Sequence, residues 1–142
     1  MPAPERIAAA VPADVSLPAF ERRAILEIAL LAIAADQQIT KEESAAFTAV
    51  AKRLDVEAAP LLEQYAGLTR DEADAKLLEL AEALSTYEAR TLAYRAAYAL
   101  SLADDESSDE EFEFDLQLVD ALELSQTDAD RLIGEVGTAI NG

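Results

Sequence analysis

The chain contains no cysteine and no histidine. Disulfides are therefore excluded. So are Cys/His zinc sites, haem ligation by those residues, and any Cys or His nucleophile or base. A bound metal would have to be held by oxygen, which favours Ca²⁺, Mg²⁺ or Mn²⁺ and leaves no zinc and no haem. Tryptophan is absent, and the 142 residues include only 4 glycines and 5 prolines. Bases are scarce as well: 11 Lys and Arg stand against 29 Asp and Glu, a formal net charge of −18. That balance argues against binding nucleic-acid backbones or anionic membrane surfaces, both of which attract positive charge. The N-terminus offers Pro2, Pro4 and Glu5 where a secretory signal needs basic residues. The longest apolar run is broken at Glu27 and is too short to span a bilayer. The expectation is a cytoplasmic protein with no nucleic-acid partner and no membrane insertion.

What is present is apolar and helix-forming. Hydrophobic residues make up 51% of the chain, more than disordered chains of such charge carry. Ala, Leu and Glu dominate, and no stretch alternates like a strand. The expected fold class is all-α, one domain over residues 17–142. Residues 1–16, with three prolines, read as a loose N-terminal arm with at most a helical turn near Ile7.

Capping signals mark the helix starts. Thr40-Lys41-Glu42-Glu43, Thr69-Arg70-Asp71-Glu72 and Ser108-Asp109-Glu110-Glu111 are capping boxes. Ser16, Ser85 or Thr86, and Ser125 are further candidate caps. A short segment from Glu57 to Tyr65 holds Pro60 in its first turns. Residues 24–35 are apolar on every side except at Glu27, and residues 92–103 except at Arg95 and Ser101. Such helices are central ones, packed by neighbours all round. The remaining helices are amphipathic, so the architecture expected is two buried helices ringed by four or five others.

The buried helices open an internal repeat. Asp36 pairs with Asp104, Thr40 with Ser108, Glu43 with Glu111, Val50 with Leu118 and Leu54 with Leu122, at a constant offset of 68. Each unit is a buried helix ending in Ala-Asp, a polar loop, a capping box and an amphipathic helix. A pseudo-two-fold repeat of helical hairpins follows.

This pattern, in LAIAADQQITKEE and again in LSLADDESSDEE, resembles the TerB family of tellurite-resistance proteins. The resemblance covers residues 20–138. It implies a TerB-like helical domain of about seven helices. It also implies a cytosolic non-enzyme of tellurite resistance and general stress response, with carboxylate-rich loops that bind divalent metal. Members of the wider superfamily often carry Gly after the Asp, where this chain has Gln37 and Asp105.

The acids admit two readings. Residues 71–142 carry a net charge of −15, and eight of the twelve residues from Asp104 to Asp115 are carboxylates. If the two loops meet, Asp36, Glu43, Asp104, Asp105 and Glu111, with Glu106 as a further donor, make an oxygen-only set suited to Ca²⁺ or Mg²⁺. The spacing is not that of an EF-hand, which needs alternate ligands and a central Gly. The other reading is structural: Glu43 and Glu111 cap helices, and the remaining acids are solvated surface. Phe112 and Phe114 stand among the acids, and one of them exposed would suit a basic, apolar partner. Tyr87, Tyr94 and Tyr98 share one helix face, a spacing that favours core packing over a ligand site. Acid pairs such as Glu110 and Glu113 are too common on helices to argue for catalysis. Ser107, Ser108 and Thr40 have no His to activate them.

Overall fold

The computed structural model describes residues 4–11, 17–34, 40–65, 69–101 and 116–141. Every regular element among them is helical. The helices are α1 (Pro4–Ala9), α2 (Ala19–Ile33), α3 (Lys41–Arg53), α4 (Ala59–Tyr65), α5 (Arg70–Ala83), α6 (Tyr87–Ser101), α7 (116–121 among the described residues) and α8 (Gln126–Asn141).

Local chemistry sets the boundaries. The Thr40 hydroxyl accepts the Glu43 amide at 3.1 Å, and the Glu43 carboxylate accepts the Thr40 amide at 3.0 Å. Thr69 and Glu72 form the second box in the same way. Thr86 caps α6 by accepting the Ala89 amide, and Ser125 caps α8 by accepting the Asp128 amide. Each satisfies an N–H that the helix itself leaves without a partner. The cap of α2 is Pro18, which makes no side-chain cap bond. Ser16 and the box at 108–111 lie outside the described residues.

The two apolar helices are central. In α2 every residue from Ala24 to Ile33 is buried, and in α6 the buried set runs from Ala89 to Leu100 with Tyr94 at its centre. Among the described residues they pack against one another more extensively than any other pair of helices. Helix α5 covers one side of α2, while α8 covers α6.

The offset of 68 holds in the elements. Helix α2 begins at 19 and ends at 33; α6 begins at 87 and ends at 101. The ends of α3 and α7 match bond for bond. After α3, Asp55 is left-handed (φ 59°), its amide donates to Lys52 and the Val56 amide to Ala51. After α7, Glu123 is left-handed (φ 56°), its amide donates to Asp120 and the Leu124 amide to Val119. Both are Schellman ends, built on a non-glycine residue at the left-handed position.

The N-terminal segment differs from a loose arm. Residues 4–11 form α1 and its closing turn, with Ile7 and Val11 fully buried against the core. Six helical residues are too few to show a period, and their burial comes from partners distant in sequence: α3, α8 and α6. The tyrosine face also differs from a wholly buried one. Tyr94 is buried and stacks on the partly buried Tyr98, centroids 6.5 Å apart. Tyr87 is 52% exposed, because it is the first residue of α6 and stands at the helix end.

Candidate functional site

Of the five carboxylates put forward as metal ligands, Glu43 is the one the structure describes. It is 1% exposed, and one of its oxygens accepts the Thr40 amide, the capping role. Asp36, Asp104, Asp105 and Glu111 lie outside the described residues. So do Glu106, Glu110, Phe112, Glu113 and Phe114. Among the described residues, no group of three or more Asp or Glu is arranged to hold a metal ion. None of the described helices is long and apolar enough to cross a membrane.

The polar breaks in the central helices are placed with care. Glu27 is buried in α2, and the Tyr65 hydroxyl of α4 donates to it at 2.7 Å. Arg23, one turn earlier, comes within 3.9 Å of the other carboxylate oxygen. Burial first, and then the bond to Glu27, push the Tyr65 phenol well above the ordinary tyrosine range. In α6, Arg95 is partly buried. It donates to the Ala10 carbonyl at 2.5 Å and pairs with Glu135 of α8 at 3.0 Å.

The scarce bases have a shared use. Arg6 donates to the Ile140 carbonyl, Arg22 to Leu54, Arg53 to Val11, Arg90 to Leu84 and Arg95 to Ala10. Each acceptor lies in or just beyond the last turn of a helix. Carbonyls there lack intrahelical donors and carry the negative end of the helix dipole, so a guanidinium satisfies both.

A groove beside α8 is lined by Arg95, Arg131, Gly134, Glu135, Thr138 and Ala139. Its charges are matched internally. Glu135 pairs with Arg95 and with Arg131, which lies 3.3 Å from it. Arg131 also donates to the Tyr87 hydroxyl at 2.9 Å, and that hydroxyl donates to Asp128 at 2.7 Å. Donation by Tyr87 leads the causes that lower the Asp128 pKa, and the same hydroxyl raises that of Arg131. This network was missed in the sequence reading. The signal for it is Arg95, the one cation in the apolar stretch 92–103.

No protein-family model, curated protein or solved structure matches the chain. What the described residues define is an all-helical fold in which α2 and α6 start and end 68 residues apart.

Proposed function

We propose that the protein is a non-enzymatic, cytoplasmic, TerB-like domain of stress response and tellurite resistance. In this reading it binds a divalent cation, Ca²⁺ or Mg²⁺, through acidic loops between its helices. The observation that supports it is the repeat. The described elements keep the offset of 68 from the start of α2 to the Schellman turn after α7. The offset pairs Asp36 with Asp104 and Glu43 with Glu111, one acidic set after each central helix. The TerB-like arrangement and the pseudo-two-fold belong to the proposal.

Thermal unfolding in Ca²⁺ or Mg²⁺ tests it, because a ligand of the folded state raises the melting temperature by mass action. A chain of charge −18 also repels itself, so any salt stabilises it by screening. The comparison is therefore made at matched ionic strength in NaCl. The cation-specific rise should appear in the unsubstituted chain and vanish in Asp104→Asn and Glu111→Gln. A rise no larger than that in NaCl removes the metal reading.

A second reading is a metal-independent module that recognises basic partners through residues 104–115. The charge pattern favours it: eight of the twelve residues from Asp104 to Asp115 are carboxylates, with no Lys or Arg among them. Capture of a basic partner in the presence of chelator, lost when acids of 104–115 are neutralised, supports this reading.

A further inference from the structure

Helix α1 sits in its place as a ligand sits in a receptor. It has six residues, Pro4–Ala9, well below the ~12–15 that give an isolated helix standing stability. Its folded form therefore depends on the seat made by α3, α8 and α6. Two kinds of contact hold it. Ile7 and Val11, four residues apart, are fully buried. At its C-terminal end, Arg53 from α3 donates to the Val11 carbonyl at 2.6 Å and Arg95 from α6 to the Ala10 carbonyl at 2.5 Å. The guanidiniums read main-chain oxygens, which every helix end presents. The apolar part reads two aliphatic side chains at helical spacing. Around these anchors Ala8 and Ala10 are also buried, and Arg6 of the segment donates to the Ile140 carbonyl of α8 at 3.3 Å.

We propose that the seat of α1 is an exchangeable helix-binding groove. Helix α1 is the chain's own occupant, and a short partner helix of the same chemistry can replace it. That partner carries two aliphatic residues four apart and free carbonyls at its C-terminal end, to which Arg53 and Arg95 donate as they donate to Val11 and Ala10. Because α1 is tethered, it competes at a high effective concentration, and the groove is closed until α1 is displaced. The groove is then an autoinhibited docking surface.

The probe is a fluorescent peptide of residues 1–16, added to the full chain and to a full-length Ile7→Asp, Val11→Asp variant whose helicity is checked by circular dichroism. Binding should saturate with the variant and be at least about tenfold weaker with the unsubstituted chain, where the tethered helix competes. A peptide carrying Ile7→Asp should not bind. Hydrogen exchange on the unsubstituted chain provides a second measurement: the Ala10 and Val11 amides, bonded to Ile7 and Ala8, should exchange well before those of α2 and α6. A folded variant that does not capture the peptide overturns the proposal. So does exchange of the α1 amides together with the central helices, since α1 would then be a fixed part of the core. If the double variant does not fold, the exchange measurement decides.

Discussion

Glu27 and Arg95 lie 68 residues apart, the offset between α2 and α6, each as a polar break in a central helix. Each is answered from the short or terminal helix that follows its hairpin: Glu27 by Tyr65 of α4, Arg95 by Glu135 of α8. The two positions have opposite charge but the same task. A polar group inside a packed interface is stable only when bonded, so each fixes how its last helix lies on its central one.

Tyr65→Phe should therefore destabilise the fold. It leaves the buried Glu27 carboxylate without its hydroxyl donor, a loss of about 1–3 kcal/mol for a buried charged acceptor. Urea unfolding near neutral pH measures it. The pH dependence has a definite sign. The folded-state pKa of Tyr65 is raised above the unfolded value of ordinary tyrosine. Its contribution is complete below about pH 10 and declines as pH rises further, because only the unfolded chain ionises readily there. Unsubstituted protein should lose stability above that pH more steeply than Tyr65→Phe.

Arg95→Gln should weaken two attachments at once, to the Ala10 carbonyl and to Glu135. A hydrogen bond to a charged group contributes about 1.5–3 kcal/mol, and the Glu135 pair is partly exposed and adds less. The expected loss is about 1.5–3 kcal/mol, read by urea unfolding. Much of the effect should be absent when Glu135→Gln alone is tested, because the bond to Ala10 survives.

Local signals were legible in the sequence, and long-range ones were not. The boxes at Thr40 and Thr69 and the caps at Thr86 and Ser125 stand where their residue types required, since a cap acts within one turn. The central place of α2 and α6 followed from apolar residues on all sides. The burial of Ile7 and Val11 did not, because Ala and Pro around them give no period and the helices that cover α1, namely α3, α8 and α6, are distant in sequence. Of the proposed ligand set, Glu43 is seen doing the capping job that its spacing from Thr40 required.

The paired Schellman ends make a symmetric prediction. Asp55 and Glu123 both hold φ near +60°, where a side chain is strained and glycine is not. Asp55→Gly should stabilise the fold by about 0.5–1 kcal/mol. Glu123→Gly should gain less, because it gives up the pair with Arg90 at 3.3 Å, worth up to about 1 kcal/mol at an exposed site. Thermal or urea unfolding of the two singles and the double should show near-additivity, since the sites belong to different hairpin ends.

Helix α8 carries two glycines, Gly134 and Gly137, in its interior. Neither is required by contact: a Cβ built on either meets nothing within 4 Å. Glycine inside a helix costs about 0.5–1 kcal/mol relative to alanine, because the unfolded chain loses more freedom on ordering. Gly134→Ala and Gly137→Ala should each stabilise the protein by about that amount, and together by about 1–2 kcal/mol. Urea unfolding measures the gain. A substitution at Gly134 that destabilises would mean that the outer face of α8, beside Arg95 and Arg131, is covered in solution.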